Sequence, residues 1–201
     1  MNVELLTSLA SIEDMERFAA IGALTCRANA DKEFVPSEVL VRIIKAGHES
    51  VLEHINLTYS IKGLSRACLQ ELARHRHISL SVESTRHTLK KHLERPEELP
   101  QRMSWSIYQA GMSSTIAMLI DMVKAIPMLS NDDLKYFLPE FWPTNLVLTS
   151  NVRELRHILD LRTAPAALKE FRELARAMYK AVPEQFKYLL KDCVHEETEH
   201  E

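Results

Sequence analysis

Between Ala73 and Leu89 the chain reads ARHRHISLSVESTRHTL, which sets Arg74, His75, Arg76, His77, Arg86 and His87 among Ser79, Ser81, Ser84, Thr85 and Thr88. Guanidinium forks interleaved with hydroxyls are what a phosphate or pyrophosphate demands. The same residues could instead form a solvated basic helix end. A broad nucleic-acid coat needs a basic face, and a formal net charge of −3 over 201 residues argues against one. Metal is disfavoured too. In "GHESVLEH" an H-E-x-x-H helix would need histidine at position 52, where Leu52 stands. On a helix His48 and His54, six residues apart, would point about 120° away from each other, so no metal site is predicted. Ser84 lacks a G-x-S-x-G elbow and reads as a binding hydroxyl, not a nucleophile. Neither G-x-G-x-x-G nor G-x-x-x-x-G-K occurs. Cys26, Cys68 and Cys193 are widely spaced without a C-x-x-C pair, so they read as buried thiols outside any disulfide framework.

A second constellation lies in "NVRELRHILDLR", Asn151 to Arg162. Leu155 and Arg162 are seven residues apart and fall within about 20° of each other on a helix. Arg162 therefore continues the apolar stripe of Leu155, Ile158 and Leu159. An arginine on a buried face needs a core carboxylate or a ligand as partner. Arg153 and His157, at i and i+4 on a different face, could reach a second ligand.

These residues need elements to position them. A strand is predicted at Val3–Leu6, then a helix with Ile12, Met15, Phe18 and Ala19 on one side. "PSEVLVRIIKAGH" starts a helix near Pro36 and ends it at Gly47. "INLTYSIK" alternates Ile55, Leu57, Tyr59 and Ile61 with polar residues, a period-two strand punctuated by Gly63. "LSRACLQELARH" returns to helical spacing through Leu64, Cys68 and Leu72. Ile78, Leu80 and Val82 then alternate, so the basic stretch is a helix end running into an extended arm that carries Ser84 and Arg86. Helices follow: Ser104 to Ile126 with Tyr108, Met112, Ile116, Leu119, Val123 and Ile126, then the Asn151-capped segment, then Ala166 to Leu190 across Pro183. Pro139 and Pro143 break the chain between them.

The sum is an α+β fold: a helix-rich single domain with a small antiparallel sheet. Residues 1–192 are assigned to that domain and 193–201, ending "HEETEHE", to an acidic tail. With 46% hydrophobic and 26% charged residues the composition is that of a soluble globular protein. The opening residues carry Glu4, Glu13 and Asp14, unlike a secretory leader. No apolar run approaches the roughly 18 residues needed to span a bilayer. A cytoplasmic location without membrane association is predicted.

Arg74-His75-Arg76, seven residues, then Ser84 reproduces the R-H-R-x7-S signature of ThyX, the flavin-dependent thymidylate synthases. "KAGHESVLEH", "STRHTLKK" and "NVRELRHILDLR" resemble further blocks of that family in the same order, from about Ala23 to Arg162. The resemblance implies a ThyX-like fold and a homotetramer holding FAD where subunits meet. It implies conversion of dUMP to dTMP, with methylenetetrahydrofolate as carbon donor and NADPH as reductant. Carried over by position, FAD contacts come from His48, Ser50, Arg74, His75, Arg76, Asn151, Arg153 and His157. The dUMP contacts come from Glu71, Arg74, Glu83, Ser84, Thr85, Arg86, Lys135 and Arg162.

Arg162 is assigned the catalytic part: a guanidinium against the uracil O2/N3 edge stabilises charge developing there. A cysteine-dependent route would need a P-C-H neighbourhood, which Cys26, Cys68 and Cys193 lack. Four positions depart from the family pattern. Glu71 stands where glutamine is frequent, Val82 where glutamate is, His87 where tyrosine is, and Lys135 where arginine is. A lysine there offers a point charge in place of a fork. The competing reading is a nucleotide- or RNA-binding module without turnover. The lack of aromatic residues between Arg74 and Arg86 counts against it.

Overall fold

The computed structural model of the chain describes residues 1–29, 33–95 and 106–196. Tail residues 197–201, the start of the predicted helix at Ser104 and the side chain of Tyr108 lie outside what is described. The element order is β1 (Asn2–Leu5), α1 (Leu9–Thr25), α2 (Pro36–Lys45), a 3-10 turn (Glu49–His54), β2 (Asn56–Ser65), α3 (Arg66–Leu72), β3 (Ile78–Val82), α4 (Thr85–Glu94) and α5 (Ser106–Ala125). Then come α6 (Asn131–Lys135), β4 (Pro143–Asn151), α7 (Val152–Thr163), α8 (Lys169–Ala181) and 3-10 turns at Glu184–Leu189 and Lys191–Cys193.

The four strands form one antiparallel sheet in the order β1-β2-β4-β3. Its direction is visible in the register: Val152 N donates to Ile55 O, and the Thr58 and Thr149 hydroxyls lie 3.0 Å apart. As β2 advances, its partners on β4 run backwards. β2 buries Leu57, Tyr59 and Ile61, as the alternation predicted. It does not stop at Gly63. That residue takes φ +76°, which glycine adopts without a Cβ clash, and the strand continues to Ser65. Leu64 therefore lies within a strand instead of starting a helix. Ser65 caps α3, its hydroxyl accepting from Cys68 N at 3.0 Å.

The chain divides into two compact units. The first comprises Met1–Asn2, Ile61–Arg74 and Ser81–Leu146; the second comprises Val3–Ser60, His75–Leu80 and Val147–Glu201. The first unit has its own core, in which Leu89 and Leu93 of α4 meet Met112, Ile116 and Leu119 of α5, Leu134 of α6 and Trp142. The extended arm expected for Ser84 and Arg86 ends at Val82, because α4 begins at Thr85 to bury Leu89 and Leu93 at i and i+4. Ile126 falls just past α5 and is 47% exposed, not part of its buried stripe.

In the second unit α1 packs on α2, and α7 on α8. The buried stripe of α1 is Ile12, Ala19, Ala20 and Ala23; Phe18 lies about 100° round from Ala19 and is left exposed. α8 buries Phe171, Leu174, Ala175 and Met178. The single helix expected to Leu190 ends at Ala181, since Pro183 has no N–H to continue the ladder, and a 3-10 turn follows. Beyond it, His195 N donates to Thr163 Oγ1 at 2.9 Å.

Candidate active site

In the second unit the site is built from α7. Asn151 caps the helix as predicted, its side chain accepting from Glu154 N at 2.8 Å. The turns that follow point charged groups in different directions. Arg153 reaches outward to Glu53 at 2.6 Å. Arg156 turns inward, with Nη1 donating to Leu189 O at 2.6 Å and to Asp192 Oδ1 at 2.7 Å, and Nε donating to Glu49 Oε1 at 3.1 Å. Burial works against its charge, but the bonds it donates to Asp192 and Glu49 outweigh that and raise its pKa. The same bonds hold the Asp192 carboxyl below its ordinary range.

Another face of α7 meets His75. Glu154 Oε1 lies 3.0 Å from His75 Nδ1, and Arg162 Nε donates to His75 Nε2 at 3.1 Å. The Arg162 guanidinium carbon sits 4.6 Å from the centroid of the Phe171 ring, within cation–π reach. His157 sets its ring edge-on to His75 at 5.7 Å. Burial depresses the His75 pKa, the hydrogen bond that His75 donates to Glu154 pulls it back, and the Arg162 charge lowers it further; the net direction is down. His75 is thus a neutral imidazole. Arg162, placed by sequence on a buried face needing a partner, finds a histidine and an aromatic ring there.

A cavity of about 620 Å³ opens in this unit. Asn151, Arg153 and His157 line it, as do His77, Glu154 and Arg156, with Glu49, Glu53, Asp160 and Cys193 completing the wall. Of the three thiols expected to be buried, Cys68 is, Cys193 is half-buried, and Cys26, the C-cap of α1, is exposed. Burial pushes the Cys193 thiol up to about 11, so it is no thiolate at neutral pH. His48 stands at the N-terminus of the 3-10 turn and Ser50 within it, both exposed; Arg76 is exposed as well. Among the described residues no group of three or more His, Cys, Asp or Glu side chains is arranged to hold a metal.

The first unit gathers the other predicted residues. Arg74 pairs with Glu71 at 3.6 Å. Glu83 N donates to Asn145 O at 2.8 Å, while the Glu83 carboxylate accepts from Asn145 Nδ2 and meets His92 Nε2. Ser84 is the N-cap of α4, yet its side chain makes no capping bond, and Thr85 beside it is buried. Arg86 forms a two-pronged pair with Asp132, Nε to Oδ1 at 2.6 Å and Nη2 to Oδ2 at 2.9 Å. Asn131 reinforces the junction by donating to Arg86 O at 2.8 Å and accepting from Lys90 N at 3.0 Å. Lys135, exposed, ends the short helix α6, which a Ser130–Asp133 capping box starts.

The thymidylate synthase complementing protein family model matches residues 7–186. The chain belongs to that family. It is 39% identical to a flavin-dependent thymidylate synthase of Campylobacter jejuni over 190 residues, covering 87% of this chain and 86% of that protein. With the Wolinella succinogenes flavin-dependent thymidylate synthase it shares 41% identity over 163 residues, 76% of this chain and 78% of that one. It is also similar to the crystal structure of flavin-dependent thymidylate synthase ThyX from Helicobacter pylori complexed with FAD and dUMP. That match has a TM-score of 0.83 at 31% identity and covers 97% of this chain and 100% of the other.

As a member of the family, the chain divides its candidate residues by unit. His48, Ser50, His75, Arg76, Asn151, Arg153, His157 and Arg162 belong to the second unit, and Glu71, Arg74, Glu83, Ser84, Thr85, Arg86 and Lys135 to the first. Sequence reasoning passed over Glu154, Asp132, Asn131 and His92. Glu154 had a signal: with Ile158 and Arg162 it is spaced i, i+4, i+8, which places it on the buried face already inferred for Arg162. Asp132 had none, being 46 residues from the arginine it pairs with.

Proposed function

We propose that this chain is a flavin-dependent thymidylate synthase that converts dUMP to dTMP with bound FAD, methylenetetrahydrofolate as carbon donor and NADPH as reductant. The observation that carries the reading is the Arg162 guanidinium, held through Nε by a neutral buried histidine and stacked on Phe171. So gripped, it is preorganised to stabilise negative charge on a planar ring. Relatives at 39% and 41% identity that bear the same name support the assignment.

In the second unit's cavity the donors available to a dinucleotide share the wall with four carboxylates, Glu49, Glu53, Glu154 and Asp160, and Arg153 would exchange Glu53 for the ligand. Arg153, His157 and the capped N-terminus of α7 offer donors at one end of a helix. FAD would be held there by Asn151, Arg153 and His157, with His48, Ser50, Arg74, His75 and Arg76 as further contacts, and when bound it supplies hydride drawn from NADPH. Arg86 and Lys135 hold the dUMP phosphate as fork and point charge. Ser84, Thr85, Glu83, Glu71 and Arg74 orient the nucleotide, and Arg162 meets the uracil O2/N3 edge. This route asks nothing of a thiol, in keeping with the burial of Cys68 and the raised pKa of Cys193.

The assembly is proposed to be a homotetramer with FAD where subunits meet, acting in the cytoplasm without nucleic-acid or membrane partners. No described helix is long and apolar enough to cross a membrane. Residues 1–192 are proposed as the catalytic domain and 193–201 as its tail. The purified protein is expected to be yellow and to bleach when NADPH is added. Arg162→Ala is expected to keep the flavin spectrum and lose dTMP formation. A colourless protein that takes up no added FAD, and instead binds polynucleotide in a salt-sensitive way, overturns the reading in favour of a binding module.

A further inference from the structure

Glu154, His75 and Arg162 form one hydrogen-bonded line within the second unit. A guanidinium nitrogen only donates, so His75 Nε2 must present its lone pair to Arg162. The imidazole proton therefore sits on Nδ1 and is donated to the Glu154 carboxylate. This tautomer satisfies both neighbours at once. The arrangement is enclosed, with His75 at 6% and Glu154 at 9% exposure. Phe171 of α8 closes it by meeting the His75 ring edge-on at 5.9 Å. Glu154 and Arg162 leave the same face of α7, so the helix fixes the separation between the two ends of the line.

We infer that Glu154 is a positioning residue for the methylation of dUMP: through His75 it fixes the direction in which Arg162 presents its guanidinium. The inference rests on the assignment of Arg162 to the uracil ring made above. Without the carboxylate, His75 is free to carry its proton on Nε2 or to rotate, and either sets a donor against Arg162 Nε or removes its acceptor. Protonation of His75 has the same result. The charged and titratable groups that act on His75 include Glu154, His157 and Arg162 of α7, and α8 sets the Phe171 ring against it. Of these Glu154 alone favours the imidazolium, and removing its charge lowers the pH at which Nε2 gains a proton.

The test uses the full-length, FAD-loaded enzyme and three variants, Glu154→Leu, Glu154→Gln and Arg162→Ala. Flavin absorbance, dUMP dissociation constant, kcat, KM and the pH profile of kcat are measured for each. Glu154→Leu is expected to keep its flavin and lose about 10- to 100-fold in kcat, the cost of displacing a reacting group by roughly an ångström, with a smaller change in dUMP affinity. Glu154→Gln can still accept from Nδ1–H, so it is expected to retain most of kcat while the acid limb of its profile moves to lower pH. Wild-type kcat in flavin-loaded Glu154→Leu, or equal losses in both variants, overturns the inference. Should Glu154→Leu fail to fold, the acid limb of Glu154→Gln decides: movement supports the inference and an unmoved limb overturns it. Full activity in Arg162→Ala sinks the assignment of Arg162 itself. An inactive Arg162→Ala beside a fully active Glu154→Leu sinks the positioning role alone.

Discussion

Arg86 is held by Asp132 in the geometry that two phosphate oxygens would take, a fork of N–H donors on a pair of anionic acceptors. The hydrogen bonds lower the Asp132 pKa and raise that of Arg86, so both stay charged at neutral pH. Both side chains are more than half exposed, and such a pair contributes little to folding. On the role proposed for Arg86 its effect falls on binding, because a dUMP phosphate would have to displace or share that carboxylate. Asp132→Asn keeps the shape and removes the competitor. It is expected to tighten dUMP binding at low salt by no more than about fivefold, read by calorimetric titration, with thermal stability almost unchanged. Weaker binding would mean that Asp132 helps to seat the nucleotide. Such a pair is invisible to spacing arguments, as is the Glu154–His75–Arg162 line, whose members lie 79 and 87 residues from His75. What the sequence does reveal is a demand: Arg162 on an apolar face must have a partner. Which partner meets it depends on the fold.

Among the elements, α7 was the most legible and β4 the least. Helical spacing, the Asn151 cap and a charged outer face all agree in "NVRELRHILDLR", and α7 spans Val152–Thr163. In β4, Pro143 reads as a breaker, but it is the first residue of the strand, where a missing N–H breaks no ladder. The alternation of Leu146 and Leu148 with Asn145, Val147 and Thr149 is short and half polar, and it was hidden between two stronger signals. α4 was missed for a related reason. Only Leu89 and Leu93 mark its buried face, and its charged residues continued the character of the basic stretch before it. The cap on α7 is open to direct measurement. Asn151→Ala removes the acceptor for Glu154 N and is expected to cost about 1 kcal/mol, within a range of about 0.5–2. Asn151→Asp should restore most of it. Urea titration at constant m-value reads the loss, and flavin absorbance on the same samples separates a capping role from one in FAD binding.

For the molecule as a whole, acid stability follows from which groups change their proton affinity on folding. An unfolded histidine titrates near its ordinary 6.5, while His75 in the folded chain titrates lower because it is buried and faces Arg162. Between those two values the unfolded state binds more protons than the native state, so stability rises with pH. Lowering the pH through 6.5 therefore costs up to about 1.4 kcal/mol per pH unit from this group, until the folded imidazole itself protonates and the slope vanishes. A second decline opens below the ordinary carboxylate value of 3.8, where Asp192 is kept ionised in the fold by its bonds from Arg156 and must finally protonate. The nine histidines of the chain could blur the first window, so the decisive quantity is the difference between the wild type and His75→Asn. Urea midpoints from about pH 2 to 8, followed by far-ultraviolet circular dichroism, are expected to fall on the acid side for the wild type. They should flatten there for the variant, which has lost the titrating group, and the decline below 3.8 should survive in both. Parallel curves from pH 8 to 5 would show that His75 binds its proton as readily in the fold as in the unfolded chain. The neutral imidazole between Glu154 and Arg162 would then have to be abandoned.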